Sequence, residues 1–175
     1  MDLSNNVFEL TNSPIHLSQE KFNNLWEMKP NEAQHCKIFG KTIEVPRKYA
    51  VYGVQYRFSG QENQPIEVPS MLTPYLEYGN SILVNWYEDG SNYIGYHNDD
   101  ETGLSGCVYA FSYGAERRFK FQNKETKEVD TIMLPNNSLL CMKEKTQQTH
   151  KHSLPIMKKV KDKRISITVR SITNK

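Results

Sequence analysis

Apolar residues recur at two different periods along this chain, and the change falls near Tyr49. Before it, Phe22, Leu25 and Trp26 return at helical spacing. Ser18 supplies an N-cap and Glu20 a favourable first-turn charge, so a helix is expected over residues 18–28. A second short helix is expected over Pro69–Tyr78, where Leu72, Tyr75 and Leu76 share a face, although Pro74 interrupts it. From Tyr49 onward, short β-type runs are separated by turn residues. The expected strands are Ala50–Phe58, Ile82–Tyr87, Tyr93–His97, Cys107–Tyr113, Arg118–Phe121, Glu128–Leu134, Ser138–Met142 and Arg164–Ile172. Glu88-Asp89-Gly90-Ser91, Tyr113-Gly114-Ala115 and Pro135-Asn136-Asn137 punctuate them. Helices followed by many short strands predict a mainly β chain with flanking helices (α+β), its core a β-sandwich or jelly roll with helices on one side.

Composition narrows this picture only a little. A chain of 175 residues with no repeat and no low-complexity linker suits a single domain, 1–175, with a full core. The net charge of +2 means that any nucleic-acid binding must come from local basic patches rather than a global field. Cys36, Cys107 and Cys141 are scattered without C-x-x-C spacing, which fits a reducing compartment and buried thiols. The N-terminal residues lack a signal-peptide pattern, and no apolar run approaches the ~18–20 residues of a membrane span. A soluble, intracellular, monomeric protein without membrane contact is the expectation.

The chemistry starts at His97-Asn98-Asp99. In an extended segment, residues two apart point the same way, so His97 and Asp99 can address one point. With a second histidine they would form a facial triad that leaves positions open on Fe(II). A surface histidine beside the acidic turn Asp99-Asp100-Glu101 is the plainer alternative. Of the other histidines, His16 and His35 precede the strand-rich region, while His150 and His152 lie at the entrance to the last strand. Extended geometry alone does not choose between those two.

The final strand is more telling. Strict alternation places Ile165, Ile167 and Val169 on one face and Arg164, Ser166, Thr168 and Arg170 on the other. Cations on an inward face are costly unless an anion meets them. Their α-carbons would lie roughly 20 Å apart at ~3.3 Å per residue, from where two long side chains can converge on the ends of a small dicarboxylate. Asn85 and Tyr87, also two apart, can add an amide and a phenol to the same ligand. The competing reading is an amphipathic edge strand with solvated arginines.

These residues resemble the AlkB family of alkylation-repair dioxygenases from about residue 36 to Ile172. The landmarks run in order: Pro46-Arg47-Lys48, Tyr52-Gly53, Tyr56-Arg57-Phe58-Ser59-Gly60, Asn85-Trp86-Tyr87, Asp89-Gly90, Ile94 to Glu101, Gly114-Ala115-Glu116-Arg117, His152-Ser153-Leu154-Pro155 and Arg164 to Arg170. The likeness is greatest to the animal nuclear members that repair DNA. It implies a double-stranded β-helix core over 80–172, N-terminal helical support over 1–35 and a nucleotide-recognition lid over 36–65. It implies His97, Asp99 and His152 as Fe(II) ligands, which selects His152 over His150. Asn85, Tyr87, Arg164 and Arg170 would hold 2-oxoglutarate, together with Ser166, which stands where the family commonly has Asn. Tyr56, Arg47, Phe58, Asp100 and Glu101 would line the base pocket, and Arg117 matches a position near the site whose role stays open.

The activity implied is oxidative removal of N-methyl groups from nucleobases, with 2-oxoglutarate and molecular oxygen as cosubstrates. Succinate and formaldehyde would be the products. A base in a duplex must first be extruded. Tyr56 is then a stacking ring and His97 an opposite wall. Asp100 and Glu101 would attract a cationic lesion such as 1-methyladenine or 3-methylcytosine. Ile38-Phe39-Gly40 resembles the hairpin wedge of a duplex-repairing relative, with ordinary core packing the equal alternative for Phe39. The segment Gln122 to Asp130 lacks a long basic loop, so single-stranded DNA, duplex DNA and RNA all remain open as partners. Other readings are a 2-oxoglutarate oxygenase acting on protein or a small molecule, a zinc hydrolase using the same three ligands, and a non-catalytic nucleic-acid-binding module. The inward arginines argue against the hydrolase. The basic run Lys158 to Lys163 can contact phosphates or simply form a solvated turn.

Overall fold

The computed structural model describes residues 7–54, 57–58, 61–62 and 67–173. Two antiparallel sheets face each other. The larger has six strands in the order β1 (Phe8–Asn12), β12 (Ser138–Met142), β9 (Leu104–Gly114), β14 (Arg164–Ile172), β7 (Ser81–Tyr87) and β4 (Lys48–Gly53). The smaller has four: β11 (Val129–Leu134), β10 (Arg117–Asn123), β13 (His150–Leu154) and β8 (Ile94–His97). Phe119, Phe121, Leu134 and Leu154 of the small sheet pack against Tyr87, Val108, Ala110, Leu140 and Met142 of the large one. The fold is thus the mainly β sandwich with flanking helices that the strand pattern predicts.

A second core lies on the outer face of the large sheet. Helix α1 (Gln19–Glu27) is capped by Ser18, whose hydroxyl accepts from the Lys21 amide, and it buries Phe22, Leu25 and Trp26. These meet Ile165, Ile167 and Val169, together with Trp86, Phe111 and Tyr113. The Trp86 indole donates to the Leu25 carbonyl at 2.9 Å, so helix and sheet are joined by a hydrogen bond as well as by packing. Tyr75 donates to Tyr113, which in turn donates to the Ile15 carbonyl. The alternation of β14 is realised on both faces: its isoleucines and valine turn to the helices, while Arg164, Ser166 and Arg170 are buried on the side of the second sheet. An inward arginine pair in a central strand replaces the edge-strand alternative.

Several elements depart from the sequence pattern. The run expected as one strand over Ala50–Phe58 breaks at Gly53, where φ is +82° and a Cβ would stand 2.3 Å from the Asn80 carbonyl oxygen. Beyond it, β5 (Arg57–Phe58) pairs with β6 (Gln61–Glu62) in a separate two-stranded sheet. The helix expected over Pro69–Tyr78 is a 3-10 segment, Ser70–Tyr78, with Pro74 inside it. A proline without an amide proton and with a ring that crowds the preceding turn explains that tightening. Strand β1, the hairpin of β2 (His35–Ile38) and β3 (Lys41–Glu44), and helix α2 (Glu144–Thr149) carry too little periodicity to be expected from the sequence.

Candidate active site

Sheet pairing builds the metal-ligand cluster. His97 at the end of β8 lies in register opposite His152 of β13, and their ring centroids are 4.3 Å apart. Asp99 follows two residues after His97. One donor atom from each of His97, Asp99 and His152 lies within 4.8 Å of the other two. His97 Nδ1 sits 2.9 Å from the Gly95 carbonyl oxygen, which places the proton there and leaves the Nε2 lone pair for a ligand. Phe119 stacks on the His152 ring at 5.5 Å. His150 is also buried, but it faces Thr149 Oγ1 at 2.7 Å and stands outside the cluster. The choice that spacing leaves open therefore falls to His152.

The protonation states suit a divalent ion. Burial, and then the neighbouring His97, pull the His152 pKa down to about 3, so the imidazole is neutral near pH 7. Burial lowers His97 in the same direction against the pull of Asp99. Burial pushes the Asp99 carboxyl up, but Arg170 and both histidines outweigh it and hold the group well below the usual carboxylate range. The donor set is two neutral imidazoles and one carboxylate. Asp99 Oδ2 is buried without a hydrogen-bond partner, and a cation at the centre of the cluster would satisfy it. The residues present fit Fe(II), with three positions left open for other ligands.

Beside the cluster lies a polar floor on the inner face of the large sheet. Register places Tyr49, Asn85, Ser166 and Ser112 in one row across β4, β7, β14 and β9. Arg164 donates to Ser112 Oγ at 2.9 Å, while its Nε and Nη1 are buried without partners. The Tyr87 ring lies 4.9 Å from that guanidinium. Arg170 Nη2 meets Asp99 Oδ1 at 2.5 Å, and its Nε is 3.6 Å from Glu101 Oε1. Asn85 is held by Arg47, whose Nε donates to Oδ1 at 2.7 Å. The two acidic residues after Asp99 separate in character. Asp100 is exposed, whereas Glu101 is half-buried, ion-paired, and raised in pKa by burial.

A cavity of about 250 Å³ opens onto His97. Cys36, Ile43, Val45 and Arg47 form one wall, and the segment Tyr93 to His97 the other. Arg47 thus both lines the cavity and anchors Asn85, joining a base-pocket position to a cosubstrate position. Tyr56 lies outside the described residues. Phe58 belongs to β5, outside both main sheets. Phe39 is no core residue: it is fully exposed at the two-residue tip of the β2–β3 hairpin, with φ +48° followed by Gly40 at +76°. A larger cavity, about 610 Å³, lies between α1 and residues 161–163 and contains none of the expected site residues.

Two residues gain roles that the sequence did not supply. Arg117 is fully buried and donates to the carbonyls of Asp89, Asn92 and Pro155. It clamps the turn before β8 to the end of β13, and burial with the nearby Arg164 lowers its pKa to about 10. Gln147 of α2 accepts the Asp99 amide proton at 2.9 Å. That contact spans 48 residues, and no local spacing announces it.

A double-sheet β fold that seats a two-histidine, one-carboxylate cluster between its sheets defines a class of metal-dependent oxygenases. The model of the 2OG-Fe(II) oxygenase superfamily matches residues 76–170. DNA oxidative demethylase ALKBH2 of Homo sapiens is 36% identical over 157 residues, covering 78% of this chain and 60% of that protein. ALKBH2 of Mus musculus is 36% identical over 161 residues, covering 78% and 66%. Alpha-ketoglutarate-dependent dioxygenase alkB homolog 3 of Rattus norvegicus is 30% identical over 104 residues, covering 53% and 35%. Among solved structures, "The structure of OsALKBH1" superposes with a TM-score of 0.65 at 15% identity, covering 94% of this chain and 97% of that one, and it supports the fold. The chain belongs to the 2OG-Fe(II) oxygenase superfamily, within its AlkB family. It spans 56% to 66% of the length of the bovine, human and murine ALKBH2 proteins. Among the described residues no helix is long and apolar enough to cross a membrane.

Proposed function

We propose that the protein is an Fe(II)- and 2-oxoglutarate-dependent dioxygenase that demethylates N-alkylated nucleobases of the 1-methyladenine and 3-methylcytosine type. The observation that carries this reading is the pairing of the His97, Asp99, His152 cluster with a buried, incompletely satisfied arginine on the same inner face. A cation alone would explain the first. An anionic cosubstrate would answer the second, taking up the donors that Ser112 and Tyr87 leave.

In this reading His97 Nε2, a carboxylate oxygen of Asp99 and His152 hold the iron. Arg164 takes one carboxylate of 2-oxoglutarate through Nε and Nη1, and Tyr87 and Ser166 border the same floor. Asn85, oriented by Arg47, faces the chain of the cosubstrate. Arg170 keeps Asp99 ionised and stands at the metal end. Bound there with oxygen, the metal and cosubstrate supply the oxidant that converts an N-methyl into an N-hydroxymethyl group, yielding succinate and carbon dioxide; the hydroxymethyl then leaves as formaldehyde. The chain positions the base in the cavity beside His97. Asp100, exposed and anionic, favours a cationic lesion, whereas the charge of Glu101 is largely answered by Arg170.

The substrate class rests on the ALKBH2 and alkB homolog 3 likenesses together with the cavity. Residues 36–65 would serve as the recognition lid, residues 1–35 as support and 80–172 as the catalytic core. Phe39, exposed on the hairpin, is then a group able to insert where a base has left its stack.

The test uses purified protein with Fe(II), ascorbate and oxygen, with and without 2-oxoglutarate. Oligonucleotides carrying 1-methyladenine or 3-methylcytosine are followed by mass spectrometry for loss of 14 mass units, the mass of one CH₂ (roughly, per lesion). Loss that depends on 2-oxoglutarate is the expected result. Steady conversion of 2-oxoglutarate to succinate without methyl loss would retain the oxygenase and discard the nucleobase.

A further inference from the structure

Three of the nine exposed large apolar side chains among the described residues border one opening: Ile43 on the β2–β3 hairpin, and Tyr93 and Tyr96 on the segment leading to His97. Ile43, Tyr93 and Tyr96 line the cavity that opens onto His97. The two tyrosines are 38% and 42% exposed. Neither hydroxyl has a hydrogen-bond partner among the described residues. Packing does not explain rings left open in this way, and a concentration of them at the mouth of a site marks a contact surface. Tyrosine suits such a rim because its face is apolar and its tip tolerates water.

We propose that Tyr93 and Tyr96 form a stacking platform for unpaired bases on either side of the target nucleotide, so that a single strand drawn across this rim is held by its neighbouring bases as well as by its lesion, a contact that a duplex does not make. The inference rests on the nucleobase reading above and adds the form of the substrate and the residues that read it. Three observations converge on it. The cavity, about 250 Å³, lies below the roughly 300–1,000 Å³ of drug-sized pockets and suits one flat ring system, so neighbouring bases must stay outside. Strand β8 is the outer strand of its sheet, which leaves the rim open along its length. The facing hairpin carries exposed Lys37 and Lys41 against exposed Glu44, a local cationic excess that matches a phosphate backbone. In a duplex, base faces are covered by their neighbours, and a ring on the rim can reach them only when the strand is unpaired.

Strands carrying one 3-methylcytosine separate this idea from its rivals. One has ordinary neighbours, the second has tetrahydrofuran abasic residues on both sides, and the third is the first annealed into a duplex. Binding is read by fluorescence anisotropy, and KM and kcat by methyl loss, for wild type, Tyr93→Ala, Tyr96→Ala and Tyr96→Phe. Removing one stacked base should cost on the order of tenfold in affinity. The wild type loses two stacks between the first and second strands, so a loss on the order of a hundredfold is expected there. Each alanine variant should lose one stack, about tenfold, on the first strand, through KM rather than kcat, and should match the wild type on the second strand, where neither tyrosine has a base to hold. Tyr96→Phe should behave as wild type. Losses that add independently, an unchanged KM on the first strand, or an equal loss on the duplex would overturn the platform. A wild type that removes methyl groups from none of the strands would overturn the nucleobase reading itself, and the platform with it. Demethylation without coupling between tyrosine and neighbouring base would sink the platform alone.

Discussion

Asp99 is fixed from three sides: Arg170 on one carboxylate oxygen, His152 near the other, and Gln147 on its backbone amide. Removing the carboxylate removes a ligand and, at the same time, the 2.5 Å partner of Arg170. His97→Ala or Asp99→Ala is therefore expected to abolish 2-oxoglutarate-dependent methyl loss and to weaken Co(II) binding, measured by its visible spectrum, while circular dichroism stays that of the folded protein. Full turnover in either variant would remove the residue from the ligand set. Gln147 acts at one remove. Gln147→Leu keeps the volume of the side chain but takes away the acceptor for the Asp99 amide, and a weakening of metal affinity by about 10-fold is expected, at the low end for groups that orient ligands. A variant with unchanged Co(II) affinity but lower thermal stability would make Gln147 a packing residue only. The difference in legibility between these residues is physical. His97 and Asp99 are two apart, and Arg164 to Arg170 alternate, so a single strand period exposes both patterns. Gln147 sits on a six-residue helix with no periodicity of its own, and its role depends on a contact from distant sequence.

Strand β14 was the most legible element because its two faces have opposite chemistry and both are buried: a register slip of one residue would drive two arginines into the helix-facing core. Strand β4 was less so, since the backbone demand at Gly53 comes from Asn80, 27 positions later, and not from its neighbours. Strand β1 stayed hidden because only Phe8 of its five residues is buried, leaving no alternation to read. The β2–β3 hairpin shows a local conflict. Its two-residue tip requires positive φ at both positions, a geometry favoured by Asn-Gly, and Phe39 occupies the first. Strain of roughly 1 kcal/mol is expected for a bulky residue in that region. Phe39→Gly should then leave the melting temperature unchanged or raised, while demethylation of a duplex lesion falls several-fold more than that of a single strand. An equal effect on both strands, or none, would remove the wedge role from Phe39.

At the scale of the whole molecule, the large sheet divides its labour by face. The outer face joins α1 and the 3-10 segment in an apolar core, while the inner face holds the charged floor, and the small sheet closes over it. This arrangement buries His150 and His152 and half-buries His97, and desolvation lowers the pKa of each. The unfolded chain accepts protons on these rings near the ordinary value of 6.5, whereas the folded chain resists, so unfolding takes up protons as the pH falls. Their contribution is thus fully present above about pH 6.5 and is lost progressively below it, down to about pH 3 for His152. Asp99 acts in the same direction in a lower window, since its carboxyl is held below its unfolded value. The metal-free protein is therefore expected to lose melting temperature steadily from pH 6.5 to pH 4. His152→Gln should flatten that slope by about 1.4 kcal/mol per pH unit, the weight of one proton. A metal that binds the neutral rings opposes the same protons, so the rise in melting temperature on adding Co(II) at pH 7 should shrink toward pH 5. A metal-free melting temperature that increased on acidification, or a Co(II) increment independent of pH, would mean that these histidines are not held neutral in the folded protein, and the ligand set built on them would fall.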